Sequence, residues 1–268
     1  MGGDIMLDRY IRSLGEAYGY DSLFTGISKY FQSADIGVAN LEGPVTTNPS
    51  KTFINGATTD SLFFTFAPKS VEAVAHAGIT LVSLANNHTG NFDRSGVNET
   101  HYWLAKAGVS WFGDPDNLTS TEKTVCKNTI CVTFVGYSEF HKGYPQTVDL
   151  VKKLSDQGRF VIVMAHWGDE YATTLPVRVQ GEARGFVNAG AKAVIGSHPH
   201  VVENTEWIGD VPIVYSLGNL IFDQYFSPEV MKGELVELTI SKNAGVTELK
   251  KMQTYTVSNT SKKGPLVI

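Results

Sequence analysis

Residues 191–202 read AKAVIGSHPHVV, and the fold follows from how this run is read. Ala193, Val194 and Ile195 form an apolar run of the kind that makes a strand buried on both faces. The run reaches Gly196 and Ser197 and then delivers His198 and His200 on either side of Pro199. Residues i and i+2 of an extended segment face the same way, and a following proline biases His198 towards extended backbone. Both imidazoles are therefore expected to address one point, which suggests a metal. Taken alone, such a pair is as often two unconnected histidines. The other apolar runs of the chain decide between these readings.

Just before this run, residues 177–188 read as a helix closed by Gly190. The same order of helix, closing glycine and apolar strand recurs at Gly78, Gly108 and Gly158, which is α/β organisation. Pro68 opens one of these helices, and the others cover about 95–106 and 148–156. Strands are expected around Ile36 and Val38, over 81–85, 109–112 and 160–165, in CVTFVGY ending near Tyr137, and over 212–217. An alternating antiparallel tail follows, beginning with ELVELTI. Residues 9–31 read as partly helical. Residues 46–65, rich in Thr, Asn, Gly and Ser, have no helical period and read as a long loop placed to cover a site.

In α/β sheets, ligands bind beyond the carboxyl ends of the strands. Asn40, Glu42, Asn87, His88, His166, His198, His200 and Asn219 all fall there. Each alone would be a turn cap, a solvated acid or a packed histidine; together they mark a site. His76 and His101 lie inside helices with no polar cluster beside them and are left out of it.

At 268 residues and 42% hydrophobic side chains, the chain can bury the core of one domain, read as 1–268. The formal net charge is −5 with the charges interspersed, which argues against a nucleic-acid partner or an acidic membrane face. No apolar run approaches the roughly 20 residues that span a bilayer, so the chain as given is expected to be soluble. Gly2, Gly3 and Asp4 open almost directly on a polar motif, as though a leader, an anchor or part of a first strand preceded them. Cys126 and Cys131 flank a short turn between extended runs, where either a cross-hairpin disulfide or two buried thiols would fit. Asn98-Glu99-Thr100, Asn117-Leu118-Thr119 and Asn259-Thr260-Ser261 match the glycosylation sequon, which matters only in a eukaryotic secretory route.

The residues at the strand ends resemble the bacterial capsule-synthesis, poly-γ-glutamate-synthesis family (CapA type), a branch of the calcineurin-like metallophosphoesterase superfamily. The resemblance runs over residues 3–222. It is carried by Gly3-Asp4-Ile5-Met6 with Arg9, Asn40-Leu41-Glu42, Ala85-Asn86-Asn87-His88, His166-Trp167-Gly168-Asp169-Glu170-Tyr171, Gly196-Ser197-His198-Pro199-His200-Val201 and Tyr215-Ser216-Leu217-Gly218-Asn219. It implies a four-layer αββα sandwich with one or two divalent metals, manganese, zinc or iron, at the strand ends. On that pattern Asp4 holds one metal, Glu42 bridges, Asn87 and His166 hold the other, and His198 and His200 divide between them. His88 stands beside the cluster as proton donor or transition-state partner, and Asn40, Glu170 and Asn219 lie behind the ligands. Two positions depart from the pattern. Met6 stands where the superfamily has a histidine, and Asn91 stands where relatives often have an acid, a loss that Asp93 could offset.

Two functions of different kind follow. One is a metal-dependent hydrolase acting on a phosphate ester or on the amide of an anionic γ-glutamyl polymer, with Arg9 neutralising a substrate anion. The other is a non-catalytic accessory subunit of a membrane-bound polymer synthase or exporter with a vestigial metal site, which Met6 favours. A polymer-binding surface protein would rest on the 46–65 loop alone. The family's association with capsule polymer implies an extracytoplasmic or membrane-associated location, through a segment absent from this sequence.

Overall fold

The computed structural model describes residues 1–115, 117, 121–260 and 264–268. Leu118, Thr119 and Ser261, which complete two of the sequons, lie outside the described residues. Two β-sheets pack face to face, with helices on both outer faces. The first sheet contains β1 (Gly2–Ile5), β2 (Val38–Leu41), β5 (Leu81–Ser83), β6 (Ser110–Phe112), β13 (Asn219–Ile221), β14 (Lys232–Asn243), β15 (Val246–Ser258) and β16 (Leu266–Val267). Its order is β16-β15-β14-β1-β2-β5-β6, with β13 pairing with β1. The second contains β7 (Glu122–Lys127), β8 (Ile130–Ser138), β9 (Phe160–His166), β10 (Ala193–Ser197), β11 (Thr205–Ile208) and β12 (Val211–Val214), in the order β11-β12-β10-β9-β8-β7. A small hairpin, β3 (Phe53–Ile54) with β4 (Ala57–Thr58), decorates the 46–65 loop.

Helices α1 (Arg9–Tyr18), α2 (Ser28–Gln32), α3 (Pro68–His76) and α4 (Asp93–Lys106) lie over the first sheet, while α5 (Tyr144–Asp156) and α6 (Val177–Asn188) lie over the second. Three apolar layers result. Ile11, Leu14, Val71, Val74 and Leu104 pack on Ile5, Ala39, Leu41 and Val82. Val151, Leu154, Val179 and Phe186 pack on Val161, Val163, Ala165 and Val194. Between the sheets, Val38, Leu81, Phe112 and Val236 meet Phe134, Phe160, Ile162, Met164 and Ile195.

The period of two along each strand fixes which polar side chains enter the inter-sheet space. Along β9, Phe160, Ile162 and Met164 face the other sheet, so His166 continues on that face. Along β2, Val38 faces it while Ala39 and Leu41 face the helices, which directs Asn40 and then Glu42 inward. Ile5 faces the helices, so Asp4 does not. Met6 breaks the pattern. β1 ends at Ile5 after a register shift, and Met6 is wholly buried in the helix-side layer, its sulfur accepting the N–H of Asp8 at 3.2 Å.

The strand expected over 212–217 ends early, and residues 215–217 link it to a strand of the other sheet. β12 stops at Val214, and the chain crosses to place β13 beside β1, with Gly218 at φ +62°. At Gly3, an added Cβ would lie 1.9 Å from the Gly218 carbonyl oxygen, so this crossing needs glycine on β1. β11 is an addition to the expected strands, joined to β12 by the two-residue turn Gly209-Asp210. Cys126 and Cys131 are disulfide-bonded and directly opposite in the β7–β8 hairpin.

The 46–65 loop is pinned rather than free. Asp8, fully buried, accepts Arg12 Nε at 2.8 Å, Ser50 Oγ at 2.7 Å and Thr65 N at 2.9 Å. Removing one side of a buried, hydrogen-bonded ion pair costs about 3 to 5 kcal/mol. Asp8→Ala is therefore expected to lower stability by that amount in denaturant titrations, and a change under about 1 kcal/mol would remove this role for Asp8.

Candidate metal centre

The side chains that parity sends inward meet at the carboxyl ends of β1, β2, β5, β9 and β10. Asp4, Glu42, His166, His198 and His200 are all buried, and Asn87 and His88 are half-buried. Glu42 with His198 and His200, and Asp4 with Glu42 and His166, each present ligand atoms within 4.8 Å of one another. His166 Nε2 lies 2.9 Å from Asn87 Oδ1, 3.1 Å from His198 Nδ1 and 3.9 Å from Glu42 Oε1. His200 Nδ1 lies 3.4 Å from Asp4 Oδ2, and its Nε2 lies 3.7 Å from Glu42 Oε1.

His198 and His200 reach this point by a route different from the extended strand expected of them. β10 stops at Ser197, and His198 and His200 sit at φ +99° and +59°. Their rings are brought to 5.8 Å from each other by a tight turn. Such backbone is unfavourable for non-glycine residues and persists where surroundings hold it. Here Asp4 Oδ2 accepts the N–H of His198 at 3.1 Å.

Behind the ligands stands a set of orienting hydrogen bonds, the usual support of a metal site. Asn40 Nδ2 donates to Asp4 Oδ1 at 2.7 Å and faces His166 Nδ1 at 3.3 Å, while Ser197 Oγ lies 3.0 Å from the same nitrogen. Asn219 Oδ1 lies 3.0 Å from His200 Nδ1, leaving Nε2 to face Glu42. Asn219 is itself held by Val230 O and Gln224 Oε1. Asn86, beside the candidate ligand Asn87, is a buried orienting residue. It donates to Asn40 Oδ1 at 3.0 Å, and its own Oδ1 receives the N–H groups of His88 and Thr89. Only the doubled Asn at a strand end could have signalled this. Glu170 stays exposed at the rim, beside Tyr171, near enough to act on Glu42 only through space.

His88 packs against Phe64, ring centroids 4.4 Å apart, with Nδ1 3.2 Å from Asn91 Oδ1. Asn91 thus meets His88 itself, whereas Asp93 is exposed at the start of α4 and offsets nothing there. Arg9 is bound bidentately by Asp223 and flanked by Phe64 and Phe222. Phe140 covers His198 with centroids 4.3 Å apart. His76 pairs with Asp21 and His101 stacks on Trp111, both on helices outside the cluster.

The electrostatics of the cluster are those of a cation site. Both carboxylate oxygens of Glu42 are buried with no hydrogen-bond partner among the described residues. Burial, and then the adjacent Asp4, push the Glu42 carboxyl well above the carboxylate range. Burial, reinforced by the neighbouring imidazoles, holds His166 well below its ordinary value, His198 at about 3 and His88 at about 4. A desolvated Glu42 carboxylate without a donor, crowded by Asp4 and neutral imidazoles, fits a bound divalent ion, and the carboxylate, amide and imidazole ligand set suits that class of metal.

Comparison with known proteins agrees with this geometry. Residues 1–224 match the family described as bacterial capsule synthesis protein PGA_cap. The chain is 29% identical over 245 residues to the capsule biosynthesis protein CapA of Bacillus anthracis, covering 84% of this chain and 59% of that protein. It is 27% identical over 259 residues to the PGA biosynthesis protein CapA of Bacillus subtilis (strain 168), covering 90% and 67%. The chain thus spans about three fifths to two thirds of the length of these relatives. Among solved structures, the calcineurin-like phosphoesterase YfkN from Bacillus subtilis superposes with a TM-score of 0.54 at 13% identity, over 91% of this chain and 83% of that one. The shared feature is the metallophosphoesterase fold.

Proposed function

The chain belongs to the bacterial capsule synthesis protein family PGA_cap, and from that premise we propose that it is a metal-dependent hydrolase acting on an anionic substrate of capsule polymer metabolism, a phosphate ester or a γ-glutamyl amide. The observation that carries this reading is Glu42, whose two buried oxygens have no hydrogen-bond partner among the described residues while Oε1 lies within 4 Å of the His166 and His200 imidazoles. Asp4, Glu42, Asn87, His166, His198 and His200 would hold one or two ions of manganese, zinc or iron. Such an ion supplies Lewis-acid polarisation of the attacked centre. The chain's own residues do the rest. Asn40, Ser197 and Asn219 fix the ligand imidazoles, His88 exchanges a proton or hydrogen bond with the reacting oxygen, and Arg9 binds the substrate anion.

Met6 supports the second reading, a non-catalytic subunit of a membrane-bound polymer synthase, because its side chain belongs to the helix-side layer and offers the site nothing. The Cys126–Cys131 disulfide favours an extracytoplasmic setting. No helix among the described residues is long and apolar enough to cross a membrane. Elemental analysis of the purified chain, with hydrolysis assays on bis(p-nitrophenyl) phosphate and γ-linked oligoglutamate, tests the proposal. Stoichiometric metal with turnover lost to a chelator and restored by the ion is the expected result. Metal without turnover, or no bound metal, would overturn the hydrolase reading and move the chain to the accessory one.

A further inference from the structure

Arg9 is a cation close enough for its charge to act on both Glu42 and His88, and its placement depends on a residue that no strand-end motif contains. Asp223 lies two residues beyond the end of β13, its side chain 5% exposed. It receives Arg9 Nε at 2.8 and 3.1 Å on its two oxygens, contacts Nη2 as well, and accepts the N–H of Tyr10 at 3.0 Å. The guanidinium stands 5.7 Å from the centroid of Phe64 and 5.4 Å from that of Phe222. Phe64 in turn packs on His88, and Phe222 on His200 at 4.7 Å. Arg9 is therefore held between two rings, one resting on each of these imidazoles. With Nε and Nη2 occupied, Nη1 makes no hydrogen bond among the described residues and remains for a ligand. Arg9 itself sits at φ +50°, a backbone conformation that needs support, and the Tyr10 N–H bond to Asp223 provides it.

We propose that Asp223 is a positioning residue that holds the Arg9 guanidinium edge-on to the metal centre, so that Arg9 binds an oxyanion of the substrate, phosphate or carboxylate. This rests on the hydrolase reading given above. A planar guanidinium fixed through two of its nitrogens presents the remaining edge in one direction, so less freedom is lost when the anion binds. The proposal has a sign that simple charge arithmetic does not share. A carboxylate near an anion site repels the anion, so its removal should tighten binding if repulsion were its main effect.

The test measures binding of inorganic phosphate, and separately of γ-linked triglutamate, to the metal-loaded full chain by calorimetry. Asp223→Asn is expected to keep the metal stoichiometry and weaken binding by about tenfold, the scale of one charge-assisted contact. Asp223→Glu should recover part of the loss, and in an Arg9→Ala background Asp223→Asn should add no further loss. Weakening confined to one probe identifies the anion as phosphate or carboxylate. Unchanged or tighter binding in Asp223→Asn, or a full additional loss in the Arg9→Ala background, overturns the assignment while the hydrolase reading stands. Failure of the unsubstituted chain to bind both metal and anions overturns the hydrolase reading and the assignment with it.

Discussion

Glu42→Gln is expected to empty the metal centre and, in the same preparation, to make the metal-free protein more stable at pH 8 than the unsubstituted chain. The two effects have one cause. A carboxylate buried with neither oxygen hydrogen-bonded is costly without a cation and strongly favourable with one. An amide of the same shape carries no charge to desolvate, but it cannot bridge. The pH dependence follows by linkage. The folded Glu42 carboxyl titrates well above the unfolded one, so the folded chain holds a proton the unfolded chain has released, and stability falls as pH rises from about 4.5 through the raised value. The variant lacks that loss, so its advantage grows with pH over this window, at up to about 1.4 kcal/mol per pH unit, and then levels off. His166, His198 and His88 act in the opposite sense in both proteins. Their lowered values make the metal-free fold lose stability as pH falls below about 6.5. Melting curves at pH 5 and 8 with metal analysis check the whole pattern. Retention of metal by the variant would remove Glu42 from the ligand set.

His88→Ala should leave metal content unchanged and lower kcat by roughly 10² to 10⁴-fold, the usual contribution of a positioned acid–base group. The ring stands in the wall formed by Phe64 and Asn91, next to the candidate ligand Asn87 in sequence and on the Arg9 side of the cluster. With its value held at about 4 by burial, it is neutral at pH 7 in the metal-free protein. A loss concentrated in kcat, with KM little changed, is the signature of an interaction made mainly in the transition state. If kcat per metal-loaded molecule is unchanged and only the melting temperature drops, His88 is a packing residue. If metal is lost, it is a ligand.

The sequence exposes the strand-end residues because parity and position both act locally. Asn40, Glu42 and His166 are legible because each stands at the end of an apolar run, whereas Asp4, with hardly any strand before it in the sequence, enters only through the family resemblance; the glycines that close α3, α4, α5 and α6 make the α/β order plain. What it hides is set by long-range pairing. Nothing local shows that the strand stops at Val214 and that the chain then crosses to the other sheet, because it stays largely apolar through Leu217 and the crossing depends on Gly218 meeting Gly3 across the molecule. The route of His198 and His200 departs from the sequence expectation for a related reason. Pro199 favours extended backbone before it, but Asp4, 194 residues away in the chain, holds His198 in another conformation. Asp223 and Gln224 were invisible, since their partners Arg9, Asn219 and Tyr171 are brought to them only by β13.

The division of the candidate ligands between the two sheets has a consequence for the unfolded chain. Asp4 and Glu42 lie on or just beyond strands of one sheet, and His166, His198 and His200 on or just beyond strands of the other. An ion held by all of them would act as a cross-link, closing chain loops of more than a hundred residues between Glu42 and His166. The entropy such a closure removes from the disordered ensemble rises only with the logarithm of loop length, yet here several loops close at one atom. The ion would then also serve as a staple between the halves of the sandwich, and apo chains would be expected to part first along the face where the sheets meet at the site.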